Sequence, residues 1–129
     1  MLAIDTDLVV RYLTGDHPQQ SAKAKAVINR EEVFVSTTVM LETEWVLRSA
    51  YGFDDKRVCK ALRDFGGLAT VMFEDSGLVA FALDRMEDGM DFADALHLGR
   101  AASCDAFLTF DQRFVRSARV MGLAKVRLP

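Results

Sequence analysis

Cysteine, proline and long apolar runs are scarce in this chain, and each scarcity narrows what it is. The two cysteines among 129 residues, Cys59 and Cys104, stand in neither CxxC nor metal-ligand spacing. That pattern excludes a disulfide scaffold and reads as two buried thiols in a reducing compartment. Two prolines, no repeat and no low-complexity tract leave no linker, so residues 1–129 read as a single domain with one ordinary core. No apolar stretch approaches the roughly 20 residues that span a bilayer, and Asp5 and Asp7 interrupt the start before a secretory core can form. The expected location is the cytoplasm, with no membrane partner. An excess of positive charge is also missing: the net charge is -3, which gives no global pull toward a polyanion.

What charge there is lies unevenly. From Glu74 to Asp94 the acids Glu74, Asp75, Asp84, Glu87, Asp88, Asp91 and Asp94 face only Arg85. From Arg100 onward the bases Arg100, Arg113, Arg116, Arg119, Lys125 and Arg127 outnumber Asp105 and Asp111. A basic segment of this kind can grip a polyanion locally, although an ordinary solvated helix face has the same composition.

Short apolar runs alternate with longer amphipathic ones. Leu2–Ile4, Val33–Val35, Ala69–Phe73, Ala106–Phe110 and Lys125–Leu128 read as strands, the first buried and the last at an edge. Helices are expected over Thr6–Thr14, Gln19–Arg30 with Pro18 at its first turn, Val39–Ala50, Asp54–Phe65, Asp75–Met86, Phe92–Ala102 and Gln112–Met121. Gly52 and the pair Gly66–Gly67 mark two helix ends. The pattern implies an α/β domain with a mainly parallel sheet covered on both faces. Open sheets of that kind bind ligands beyond the carboxyl ends of their strands, and Asp5 and Asp111 stand at two such ends.

Individually the acids have plain structural uses. Asp5 and Asp111 precede helices, where a carboxylate caps free N–H groups, and Asp91 with Asp94 has the spacing of a capping box. Glu42 is different: Val39, Trp45 and Val46, one turn away, place it on an expected core face, whereas Glu44 has Arg48 four residues on as a surface partner. Asp94 lies between Met90 and Leu98. Trp45, Phe34, Phe65, Phe73, Phe81 and Phe107 read as core, His97 as structural and His17 as loop. Acids gathered at one sheet edge repel by about 4 kcal/mol per pair at 4 Å and an effective dielectric near 20. A hard divalent cation, Mg²⁺ or Mn²⁺, would relieve that repulsion and suits nuclease or phosphatase chemistry.

The segments LAIDTDLVVRYL, TVMLETEWVL, DFADALHLGRA and FLTFDQRF, in this order, resemble the motifs of PIN-domain ribonucleases, especially the VapC toxins of bacterial toxin–antitoxin pairs. The resemblance implies a PIN-like three-layer α/β/α sandwich with a central sheet of about five short strands. It implies Mg²⁺ or Mn²⁺ held by Asp5, Glu42, Asp94 and Asp111, and hydrolysis of RNA. Thr6 and Thr109 match positions where the family often has Ser or Thr, and are expected to hold the ligands by hydrogen bonds. Asp91 is expected at the rim of the site. Asp7 departs from the pattern, which usually has Asn there. The resemblance further implies a homodimer and a small VapB-like antitoxin, with an Arg inserted among the acids.

Two other likenesses compete. IDTDLVV is similar to the first motif of haloacid-dehalogenase-type phosphatases, with Asp5 as nucleophile and Asp7 as acid and base, but Glu42 then has no role. Thr109 and Lys125 fit a non-catalytic receiver module loosely, but the acid pair after the first strand is absent.

Overall fold

A computed structural model describes all residues, Met1–Pro129. The chain divides into two compact units, Met1–Val79 and Ala80–Pro129. Seven helices and five short strands make the mixed α/β architecture that the alternation of patterns implies. Every strand pair is parallel, but the strands form a three-stranded and a two-stranded sheet rather than one. No helix is long and apolar enough to cross a membrane.

The first unit carries β1 (Leu2–Ala3), α1 (Thr6–Thr14), α2 (Pro18–Arg30), β2 (Val33–Val35), α3 (Thr37–Ser49), α4 (Asp55–Gly66) and β3 (Val71–Phe73). Its sheet has the order β1-β2-β3, in register Leu2 with Val33 and Val33 with Val71. The central strand explains its own sequence: Val33 and Val35 are fully buried, and a parallel strand flanked on both sides favours such β-branched residues. β1 is instead an edge strand in this unit, and Leu2 is 49% exposed, contrary to the buried strand expected from its composition. Only Ile4, one residue beyond it, is buried.

Local chemistry sets the helix ends. Asp5 starts α1, and Gly15 ends it in the left-handed region at φ 65°, which Gly adopts without the steric cost of a Cβ. His17, expected to be loop, caps α2 by accepting from the Gln20 N–H at its Nδ1, 3.1 Å. Ser36 caps α3 and Asp54 caps α4. Helix α1 packs against α2 and α3, burying Val9, Ile28 and Leu47 completely. Phe65 joins Tyr12 and Phe73 in an aromatic stack at 5.6 and 6.2 Å. Truncating such a side chain to Ala costs about 2–5 kcal/mol.

Helix α3 corrects the expected reading of its faces. Its buried residues are Met40, Thr43, Glu44 and Leu47, so Glu44 is 1% exposed while Trp45 is 57% exposed and Glu42 lies outward. Two polar residues occupy the inward stripe, and the apolar pattern of Val39, Trp45 and Val46 therefore points to the wrong side. Glu44 is held by Arg48, which donates through Nε and, at 3.3 Å, through Nη2. That pairing satisfies the need for a partner that burial imposes.

Helix α5 (Ser76–Glu87) begins in the first unit and continues into the second, which also holds α6 (Phe92–Arg100), β4 (Phe107–Leu108), α7 (Gln112–Val120) and β5 (Val126–Arg127). The buried side chains here include Leu83, Met86, Phe92, Leu96, Phe114 and Val126. Phe107 stacks on Phe114 at 5.4 Å, and β4 pairs with β5 in register Phe107 with Val126. Cys59 is buried as expected, whereas Cys104 is exposed, lying in a turn that has no apolar neighbour pattern to bury it.

Candidate functional site

In the first unit, the Ile4 N–H donates to the Phe34 carbonyl at 3.1 Å and so fixes where β1 hands over to α1. Asp5 follows in extended conformation, and its Oδ1 accepts from the Thr6 N–H at 2.7 Å. One oxygen of this carboxylate is therefore engaged at the helix start, and the other is left for a ligand. Asp5, Thr6, Asp7 and Glu42 line a cavity of about 380 Å³ together with Arg11 and Tyr51. Thr6 is buried, and its hydroxyl has no partner, a cost that a ligand or water in the cavity would remove. Glu42 reaches this cavity from the outward face of α3, not from a core-facing one.

Arg11 is the residue that the motif reading passed over. It stands one helical turn after Asp7, and its guanidinium is fixed on three sides. Nε donates to Gln20 at 2.8 Å, and Nη1 donates to Asp16 at 3.0 Å and to the Tyr51 hydroxyl at 3.1 Å. Tyr51 in turn donates to Asp16 at 2.6 Å. The hydrogen bonds from Tyr51 and Thr14, and then the charge of Arg11, hold the Asp16 carboxyl below its ordinary range. A spacing of four from Asp7 was a usable signal for Arg11. Nothing local pointed to Tyr51, 40 residues away.

In the second unit, Asp91 caps α6 by accepting from the Asp94 N–H at 3.1 Å, so half of the expected capping box exists. Asp94 is half-buried, between the buried Met90 and Leu98. Burial first, and then the charges of Asp91 and Asp111, push its carboxyl above the ordinary value, opposed by His97. Asp111 caps α7 by accepting from the Phe114 N–H at 3.1 Å, and its own N–H donates to the Thr109 hydroxyl at 3.0 Å. Thr109 thus fixes the backbone of Asp111, while Asp91, Asp94 and Asp111 share one electrostatic neighbourhood.

The donors fit a hard cation: all are oxygens, with no thiolate or paired imidazoles among them. No three His, Cys, Asp or Glu side chains are drawn into a finished cage. Mutual repulsion opposes such closeness among carboxylates until positive charge lies between them.

Parallel strands that deliver carboxylates at their carboxyl ends define a class of α/β protein built to meet cations and anionic ligands there. The PIN domain family profile matches residues 2–120, and the chain belongs to that family. PIN domains are in general metal-dependent nucleases that use divalent ions, usually Mg²⁺, on nucleic acid. The match sets aside the phosphatase and receiver likenesses. No curated protein matches the chain.

Proposed function

We propose that the chain is an endoribonuclease in which Asp5, Glu42, Asp94 and Asp111 bind Mg²⁺ or Mn²⁺, and that it acts as the toxin of a VapBC-type pair. The observation that carries this reading is the extent of the family match, which spans all four acids. A divalent ion supplies two things when bound: an activated water and neutralisation of charge on the phosphate. The chain's own residues do the rest. Asp5 and Asp111 each commit one oxygen to a helix N–H, which restrains the carboxylate and leaves its second oxygen for a ligand. Thr109 holds the Asp111 backbone, and the buried Thr6 hydroxyl is free to donate to a ligand beside Asp5. Asp94, whose negative charge is disfavoured by burial and by Asp91 and Asp111, would be relieved by an ion.

The role of toxin adds a homodimer and a VapB-like antitoxin as partners, in the cytoplasm. An Arg from such an antitoxin would find negative charge at Asp91 and Asp94. Asp91 serves at the rim. Asp7→Asn should leave cleavage intact or raise it if Asp7 only supports the site; complete loss would make it a ligand or an acid.

Total cellular RNA incubated with the purified protein, with Mn²⁺ or Mg²⁺ against EDTA, tests the enzyme. Discrete metal-dependent fragments are expected, and RNA left intact by antitoxin-free protein would sink the nuclease reading. Co-purification with the product of the neighbouring reading frame tests the toxin role separately.

A further inference from the structure

We infer that the outward face of α7, together with Phe110, is the surface that grips the RNA strand, with Arg113, Arg116 and Arg119 on backbone phosphates and Phe110 against a base. The inference rests on the nuclease reading and names the residues by which that site holds its substrate.

Helix α7 contains no acid, and it buries Phe114, Val115 and Ala118. At about 100° per residue, the three arginines fall within roughly 120° of the helix surface, on the side opposite those buried residues. All three are exposed, and none has a carboxylate or carbonyl partner. A helix face of this chain that carries both signs pairs them. In α4, Lys60 meets Asp64 at 2.7 Å in the usual i,i+4 pair. A row of uncompensated guanidinium groups in a chain of net charge -3 is complementary to a polyanion.

The row also begins in the right place. Asp111 caps this same helix and acts electrostatically on Asp94. Along the axis the arginines stand about 3, 7.5 and 12 Å beyond Asp111, at 1.5 Å per residue. Arg presents a planar fork of donors that matches phosphate oxygens.

Phe110, immediately before Asp111, is 87% exposed. An aromatic ring left in water at the end of a basic row is what a nucleic-acid base can cover, and polyanions without bases cannot use it. Stacking on a side chain needs a base that is free of its neighbours, so the strand held at Phe110 is unpaired there.

The test is binding in EDTA, where no cleavage intervenes, of the full chain to a fluorescent oligouridine of about a dozen nucleotides, read by anisotropy at several salt concentrations. Each of Arg113→Gln, Arg116→Gln and Arg119→Gln should weaken binding and reduce the salt slope by about 0.7. Phe110→Ala should weaken RNA binding by about 5- to 150-fold, the worth of one base–aromatic stack, and leave both the salt slope and binding of inorganic polyphosphate unchanged. Circular dichroism melts confirm that the variants are folded.

Unchanged affinity and slope in the folded triple arginine variant would overturn the inference, as would absence of RNA binding by the parent protein. Equal loss of polyphosphate binding in Phe110→Ala would remove the stacking role. Preference for polyglutamate over RNA would also overturn it, in favour of an acidic protein segment. Cleavage of the same oligonucleotide with Mn²⁺ is scored apart: cleavage with unaltered binding in the variants refutes this surface and leaves the nuclease standing, whereas binding without cleavage supports the surface and refutes the nuclease.

Discussion

Glu44 in the first unit and Asp94 in the second are both acids removed from full contact with water, and the protein treats them in opposite ways. Glu44 is almost completely buried and is met by the two-pronged guanidinium of Arg48. Asp94 is half-buried and is met by Asp91 and Asp111, whose charges add to the effect of burial. The first arrangement spends a charge on stability, and the second keeps one in an unfavourable state that a cation would relieve. A carboxylate supplied with a base is architecture; a carboxylate supplied with more carboxylates is poised for a ligand.

The largest expected effect separates the two in function. Asp94→Asn should lower metal-dependent RNA cleavage by at least about 100-fold, in line with the loss that follows when ligand or supporting groups of a metal site are removed. Glu44→Gln in a protein that still folds should retain most activity. Equal retention in both variants would dissolve the distinction.

In stability the order reverses. Glu44→Ala leaves Arg48 without its buried partner and should cost about 3 kcal/mol in urea unfolding, less if Arg48, with its partly exposed side chain, turns to water. Asp94→Asn should instead give a small rise in Tm when no metal is present. The sign follows from linkage: a carboxyl raised in the folded state contributes stability at low pH, and that contribution is lost as pH rises through its folded value. Metal-free protein should therefore lose stability with rising pH just above the ordinary carboxylate range, and the Asn variant should not. Added Mn²⁺ should stabilise the parent and not the variant.

The smallest effect concerns Asp16, a third acid that resembles Glu44 in having partners and differs in being open to water. Its carboxyl is lowered by Tyr51 and Thr14, so its contribution is present above the ordinary carboxylate value and is lost as pH falls through the folded value. Tyr51→Phe should shift this acid-side loss to higher pH by a small amount, visible by NMR titration of Asp16. No shift would mean that Thr14 and Arg11 hold the carboxylate without Tyr51.

Much of this was legible in the residues. Helix α1 runs over Thr6–Thr14 as the sequence implies, because Asp5 and Gly15 punctuate it chemically, and β2 is legible because a central strand is apolar on both faces. Helix α3 was legible in extent but not in orientation. Its inward stripe includes Thr43 and Glu44, so hydrophobic periodicity turned Glu42 and Trp45 toward the core when both face out. The division of five strands into two sheets was not legible either, since strands of two residues carry too few side chains to specify a neighbour. For the acids, motif spacing pointed to Asp5, Glu42, Asp94 and Asp111, and the caps that the sequence offered at Asp5 and Asp111 are present in the structure. The network of Arg11, Asp16 and Tyr51 depends on contacts between distant positions, which no local pattern records.

The caps have a consequence for how such a chain changes over generations. Asp5, Asp91 and Asp111 each hold a helix start through one oxygen, and Asn does that task about as well as Asp. Under the proposed ligand set, a single amide replacement at Asp5 or Asp111 would silence the chemistry while sparing the helix, so the altered protein would still fold, escape proteolysis and accumulate. Quality control inside a cell is blind to that loss. A silent copy of this kind persists at normal abundance, able to occupy whatever its active sibling binds.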